Sequence, residues 1–287
     1  MNRKGIILAG GYGTRLYPLT HSISKQLLPV FNKPMIYYPL SILILSGIKE
    51  ILIICTPDQI KLFKKLLGSG KKLGIRFFYK IQKKPKGIAE ALVIGEKFLK
   101  GKDICLILGD NIFFGKNIRN IFSKICKSKK QKIILKKVKN PNEYGVLEFK
   151  KKEPHRIIEK PKNYISNYAV TGIYFYHNHA VNIARKLKPS NRHELEITDL
   201  NRIFIKEKKL EVFKLSEKDF WFDAGNHEEY LKTSIKVREY ENFNKKIVGS
   251  IELESLRVGN ISRKFYLKNF DIKNKYYQQV LEEYENS

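Results

Sequence analysis

Short, nearly continuous apolar runs alternate with stretches whose apolar positions recur every three or four residues, and the first half of the chain repeats this alternation several times. The runs at 5–9, 51–55, 75–81 and 104–108 read as strands, the first of them buried. The periodic stretches at 35–46, 57–67 and 88–99 read as helices, with Pro57 suited to a first helical turn. Strands separated by helices of this length predict βαβ units and a mainly parallel central sheet covered on both faces. The expected architecture is therefore a Rossmann-like three-layer α/β sandwich. From residue 132 the pattern turns strand-rich, with runs at 133–138, 145–149, 156–159 and 170–176, and with Asn140-Pro141 and Glu153-Pro154 as turns. Helices resume at 180–186 and 198–207, the second opening on a Thr198-Asp199 cap, before a strand at 211–215. Residues 228–241 and 245–257 read as helical, and the last ~20 residues as a tail that frays. The organisation predicted is one unit over 1–227, made of an α/β part (1–131) and a strand-rich insertion (132–227), followed by a helical segment over 228–287.

The first strand runs into Gly10, Gly11 and Gly13, followed at once by Thr14 and Arg15, and Lys25 comes ten residues later. Glycines there let the backbone take positive φ and turn bare N–H groups toward an anion. A guanidinium beside that nest and a movable ammonium facing it suit a nucleoside triphosphate. Neither common phosphate loop fits, because no Lys follows the last Gly and Leu16 stands where a dinucleotide fingerprint needs its third Gly. Taken alone, the glycines read equally well as a solvated turn. Asp110, just after the 104–108 run, falls on the same carboxyl edge of the sheet, where open α/β folds bind ligands. Asp223, after Trp221 and Phe222, is a second carboxylate delivered at the end of an apolar segment. Oxygen ligands with open positions suit Mg²⁺, which keeps waters and shares phosphate oxygens; the alternative for a lone Asp110 is a helix or turn cap.

Composition narrows the classes. The 287 residues are 43% hydrophobic, enough for a sizeable core, and carry a net charge of +28. That charge invites a nucleic-acid reading, but 45 Lys outnumber 11 Arg and lie scattered in groups such as Lys64-Lys65 and Lys150–Lys152, with no recognisable nucleic-acid motif. They read as solvated surface whose field attracts small anions. Cys55, Cys105 and Cys126 are too dispersed for a disulfide frame or zinc site. His177 and His179 lack a third ligand nearby, and no Ser-His-Asp or Cys-His arrangement has supporting context. No apolar run reaches the ~18 residues of a membrane helix, and no leader pattern precedes the first strand, so a cytoplasmic protein is expected.

The opening segment GGYGTRLYPLT with SKQLLP, together with KPMIYYPLSILILSGIKEILII, LILGDNIFFG, EKP, SNYAVTGIYFY and ELEITDLN, resembles the sugar-1-phosphate nucleotidyltransferases. Within them it is most similar to the glucose-1-phosphate thymidylyltransferases, over at least residues 4–260. The resemblance implies transfer of a thymidylyl group from dTTP to glucose 1-phosphate with Mg²⁺ on Asp110 and Asp223. It makes Arg15, Lys25 and Asp110 the catalytic residues. It places the nucleotide on Leu8, Gly10, Gly11, Gly13, Thr14, Arg15, Gln26, Gln82, Pro85 and Gly87. The sugar phosphate falls to Asn111, Tyr144, Gly145, Glu159, Lys160, Val170 and Arg192. It assigns nucleotide binding mainly to 1–131 and sugar-phosphate binding to 132–227, and makes 228–287 an assembly or regulatory segment. It further implies a homotetramer with a feedback site near Phe114-Gly115 and Arg257, and a role in dTDP-rhamnose and surface-polysaccharide synthesis. Three positions depart from the family's usual residues: Glu90 for Gln, His193 for Gly, and Ala224 for a Thr whose hydroxyl could support the second carboxylate. The competing readings are a UTP-using or other-sugar enzyme of the same family and a non-catalytic nucleotide sensor.

Overall fold

The computed structural model describes residues 3–128 and 130–287. Its first part contains strands β1 (Arg3–Ala9), β2 (Pro29–Val30), β3 (Lys33–Pro34), β4 (Glu50–Cys55), β5 (Arg76–Ile81), β6 (Asp103–Leu108) and β7 (Asn111–Gly115). Helices α1 (Tyr37–Leu45), α2 (Ile60–Leu67), α3 (Glu90–Leu99) and α4 (Ile118–Lys127) lie among and after them. Strands β1, β4, β5 and β6 pair in parallel. Along β1 the residues alternate, Ile6 feeding one core and Ile7 the other, and β4 repeats this with Leu52 and Ile53. A strand that buries both faces must be apolar throughout, so its run carries no period-two signal.

The second part adds β8 (Gln131–Lys137), β9 (Gly145–Lys150), β10 (Glu153–Glu159), β11 (Tyr168–Tyr176), β12 (Leu210–Lys214) and β13 (Asp219–Asp223). Helices α5 (Ala180–Lys186), α6 (Ile197–Lys206) and α7 (His227–Asn244) accompany them, followed by α8 (Ile251–Arg257), α9 (Arg263–Asn269) and α10 (Lys275–Glu285). Strand β11 pairs antiparallel with β6, so the sheet runs on across residue 131 in the order β10-β9-β11-β6-β1-β4-β5, with β8 and β12 attached beyond β11. Helices α1, α2, α4 and α8 cover one face and α3, α5 and α6 the other. This is the Rossmann-like three-layer sandwich. A third apolar cluster, with Val30, Tyr38, Ile112, Phe114, Ala224 and Val237, lies where α7 meets the β7–β13 ribbon.

Several local expectations need correction. Glu153-Pro154 is the start of β10, and the reversal falls on Lys151 and Lys152, both at positive φ. Pro57 precedes its helix, which begins at Ile60. Helix α6 is capped by no side chain, because the Thr198 hydroxyl donates instead to Glu159 at 2.8 Å. The 245–257 stretch is broken, with Lys245 left-handed and α8 starting only after the Ser250 cap. The tail does not fray: α10 buries Val280 and ties back through Tyr276, whose hydroxyl donates to Glu252 at 2.8 Å. Among the described residues no helix is long and apolar enough to cross a membrane. Cys55, Cys105 and Cys126 are buried, and no disulfide joins them.

Candidate active site

The loop after β1 and the end of β6 meet at the carboxyl edge of the sheet. Gly109 N–H donates to the Leu8 carbonyl at 2.9 Å, which holds the Gly-rich loop beside Asp110. Gly13 takes a φ of 66° and its carbonyl accepts from the Thr20 hydroxyl at 2.7 Å, so Thr14–Leu16 can form a single 3₁₀ turn that projects Arg15. Gly11 faces open space, leaving its backbone accessible to an anion. Lys25 and Gln26 sit on a second 3₁₀ turn, Lys25–Leu27, and are buried.

Antiparallel pairing of β7 with β13 sets Asp223 opposite Asn111, and Ala224 N–H donates to the Asp110 carbonyl at 3.1 Å. The two aspartates are thereby brought to one corner. The Lys25 ammonium donates to Asp110 Oδ2, and Asn111 Nδ2 donates to Asp110 Oδ1 at 3.2 Å. Burial pushes the Asp110 carboxyl upward, but Lys25 and these hydrogen bonds outweigh it and hold it below the ordinary carboxylate value. Asp223 is the reverse case. Burial and the charge of Asp110 push it up to about 7 against the pull of Lys25, Arg15 and Lys160. Its Oδ1 is shut off from solvent and has no hydrogen-bond partner. A buried carboxylate oxygen without a donor, beside a second carboxylate, is a donor set that a hard cation completes. Among the described residues no group of three or more His, Cys, Asp or Glu side chains could hold a metal, so any ion here would rest on two protein carboxylates and its other ligands. That arrangement fits Mg²⁺ better than a fully protein-ligated site. Gly225 makes room for Arg15, since a Cβ there would stand 2.7 Å from Nη2 of the guanidinium and 3.0 Å from Asp223 Oδ1.

A cavity of about 280 Å³ opens from this corner. Its lining includes Arg15, Asp110, Asn111 and Asp223 together with Glu159, Lys160, Val170 and Arg192. Tyr144 and Gly145 also line it, with the Tyr144 ring centroid 5.1 Å from that of Trp221. Asn111 Oδ1 accepts from Trp221 Nε1 at 2.6 Å and from Gly172 N–H at 2.8 Å, so this side-chain amide organises the cavity wall as well as facing it. Lys160 takes a φ of 44° and its N–H donates to the Tyr144 carbonyl at 2.9 Å. Arg192 is engaged by Glu196 through two bonds of 2.9 Å and lies 3.5 Å from Glu194 and 3.9 Å from Glu159. A dianionic phosphate at this end would compete with those carboxylates for the guanidinium. His193 beside it sits at φ 61°, a conformation that Gly adopts without cost.

Of the residues expected on the base side, Gln26 and Gln82 are buried, while Pro85 and Gly87 are half-buried. Gln82 is buried, its Nε2 donates to Glu90 at 2.6 Å, and its Oε1 packs so close to Gly10 that a Cβ there would clash at 2.2 Å. Glu90 therefore fixes which end of the Gln82 amide faces the glycines. Gln26 accepts from the Ser24 hydroxyl at 2.6 Å. Pro85 and Gly87 belong to an irregular segment bound to the chain before α6, since Leu195 N–H donates to the Lys86 carbonyl and Ala89 N–H to the Leu195 carbonyl. Gly87 has a φ of 97°, and a Cβ there would lie 2.4 Å from the Leu195 carbonyl oxygen. Gly87→Ala is expected to lower the unfolding free energy by about 2 kcal/mol, read from urea denaturation, because both partners of the clash are backbone. The sequence reading did not assign Thr198, Tyr174 or Trp221 to the site, yet all three line the cavity. Phe114, Gly115 and Arg257 meet at a separate cavity of about 400 Å³, where Arg257 pairs with Glu283 at 2.8 Å.

Residues 4–240 match the nucleotidyl transferase family. The chain belongs to it. This nucleotidyl transferase is 45% identical over 261 residues to the glucose-1-phosphate thymidylyltransferase of Neisseria meningitidis serogroup A, covering 90% of this chain and 91% of that one. It is 49% identical over 231 residues to the enzyme of the same name from Xanthomonas campestris pv. campestris, covering 79% and 77%. A crystal structure from Bacillus anthracis, assigned as a glucose-1-phosphate thymidylyltransferase and holding sucrose, superposes with a TM-score of 0.77 at 40% identity, covering 83% of this chain and 96% of that one. A UDP-glucose pyrophosphorylase with UDP-glucose bound shares the fold, with a TM-score of 0.73 at 24% identity over 86% of this chain and all of that one.

Proposed function

We propose that this nucleotidyl transferase moves the thymidylyl group of dTTP to α-D-glucose 1-phosphate, giving dTDP-glucose and pyrophosphate, with Mg²⁺ held by Asp110 and Asp223. The observation that carries the reading is one cavity lined both by a carboxylate pair with Arg15 and by Lys160 with Arg192. Two phosphates can be held there facing one another. The named relatives supply the nucleotide and the sugar.

In this mechanism Arg15 and the N–H groups of Gly11–Thr14 hold the triphosphate. Lys160 and Arg192 aim a phosphate oxygen of the sugar phosphate at the α-phosphorus. A new oxygen–phosphorus bond forms as the bond to the β-phosphate oxygen breaks, and pyrophosphate leaves with that electron pair. Lys25 offsets the charge gathering on the α-phosphoryl group. Magnesium on the two carboxylates would supply charge neutralisation for the reacting phosphates. The nucleophile is already an anion, so no general base is needed and the work is positioning and electrostatics. Gln26, Gln82 and Gly87 are read as the base contacts and Glu159 as the acceptor for sugar hydroxyls. The cavity at Arg257 is read as an effector site in a homotetramer, and the product as a supply for dTDP-rhamnose and surface polysaccharide.

Pyrophosphate release measured with dTTP and UTP against a panel of sugar 1-phosphates tests the assignment. Glucose 1-phosphate with dTTP is expected to give the highest kcat/KM, exceeding UTP by about 10- to 200-fold, the range one methyl supplies in a hydrophobic pocket. A higher value with UTP or another sugar phosphate would reassign the substrate. Lys160→Ala is expected to raise KM for glucose 1-phosphate by about 10- to 100-fold while leaving KM for dTTP unchanged, as loss of one charged phosphate contact of 1.4–2.7 kcal/mol would.

A further inference from the structure

We propose that Lys25 is the resident counter-ion of Asp110 and competes with a divalent cation for that carboxylate, so that nucleotide and cation enter the site cooperatively. The inference rests on the proposed role of Asp110 and Asp223 as cation ligands and adds what holds Asp110 before substrate arrives. Lys25 and Asp110 form a direct ion pair, and each side chain is only 11% exposed. Both Asp110 oxygens are committed, Oδ2 to the ammonium and Oδ1 to the Asn111 amide. Asp223 Oδ1, by contrast, is buried with no donor. The corner therefore holds one satisfied and one unsatisfied carboxylate, and the satisfied one is occupied by a side chain on a flexible four-carbon stem.

An ammonium on a carboxylate oxygen disfavours a dication on that same oxygen, because the two repel at close range in a site shielded from water. Cation entry therefore favours departure of Lys25 from Asp110 Oδ2, and leaving without another anion to meet would strand a buried charge. A triphosphate in the neighbouring Gly-rich loop offers that anion. Lys25 can then turn from the carboxylate to the phosphates and open Asp110 to the cation. By linkage, nucleotide raises cation affinity by the same factor as cation raises nucleotide affinity. Arg15 stands beside Asp223 in the same manner, within reach of a common point at Gly225, but without an ion pair of this kind.

The test uses Mn²⁺ alone as the probe, titrated into the full chain without nucleotide and followed by the electron paramagnetic resonance of free Mn²⁺. Lys25→Gln is expected to bind Mn²⁺ at least tenfold more tightly than the unsubstituted protein, and Asp110→Asn to lose the site. Lys25→Met, a second neutral replacement, is expected to tighten binding likewise and serves if the glutamine variant does not fold. Lys25→Arg keeps the charge and is expected to bind as weakly as the unsubstituted protein. If both neutral variants bind no more tightly while Asp110→Asn still removes the site, the counter-ion role is overturned and the cation-ligand reading stands. If Asp110→Asn binds as the unsubstituted protein does, the cation-ligand reading falls and this inference with it.

Discussion

Asp110→Asn is expected to lower kcat by at least about 10³-fold at saturating Mg²⁺, a barrier increase of roughly 4 kcal/mol. The amide keeps the size of the side chain and can still accept from Asn111, so the cavity wall is preserved. What it removes is the negative charge at the corner where the Gly-rich loop, the Lys25 ammonium and Asp223 meet. A cation held as proposed on Asp110 and Asp223 would lose one of its two protein ligands. The substitution also leaves Lys25 buried without its partner, and breaking a buried pair from one side costs about 3–5 kcal/mol. Near-ultraviolet circular dichroism separates the two effects, since a folded, inactive variant reports chemistry while a lost tertiary signal reports stability. Activity near that of the unsubstituted protein in a folded sample would remove Asp110 from the mechanism.

Lys25→Ala is expected to reduce kcat by about 10²- to 10³-fold, the loss seen when one preorganised donor to a developing anion is removed. The effect should fall on kcat more than on either KM, because the charge Lys25 meets grows in the transition state. The same position carries an opposite expectation for the resting protein, where neutral replacements tighten Mn²⁺ binding. A residue that merely stabilises the fold would not raise metal affinity and depress turnover together. Equal changes in kcat/KM and KM, with kcat intact, would instead make Lys25 a simple nucleotide-binding group.

Much of this site was legible in the chain because its parts sit at the ends of apolar runs. Gly10–Arg15 follows β1 and Asp110 follows β6, and parallel pairing of those strands places both at one edge without further information. The pairing that delivers Asp223 could not be read the same way. Strands β7 and β13 form a separate two-stranded ribbon between distant segments, and their aromatic runs cluster with α7 rather than following a periodic pattern. Phe114 and Phe220 stand opposite each other in that register with ring centroids 5.0 Å apart, and the contact is tertiary.

The state of the charged groups was also invisible. Arg192 could be named as a phosphate ligand, but its engagement with Glu196, four residues on, depends on the loop geometry around the left-handed His193. Thr198 reads locally as a helix cap because hydroxyls favour that position. In the fold, Glu159 from β10 lies close enough to take its hydrogen bond, and the threonine becomes part of the cavity. Ala224 shows the limit of reasoning from a missing hydroxyl. Its methyl is buried in the apolar cluster under α7, and its N–H binds the Asp110 carbonyl, so the backbone links the two carboxylate segments.

The most direct test is to mix the protein with dTTP, glucose 1-phosphate and Mg²⁺ and to quantify nucleotide sugar and pyrophosphate together. One pyrophosphate is expected for each dTDP-glucose formed, with none released when glucose 1-phosphate is withheld. Pyrophosphate without sugar phosphate, inorganic phosphate in its place, or no release at all would contradict direct attack of one bound phosphate on another.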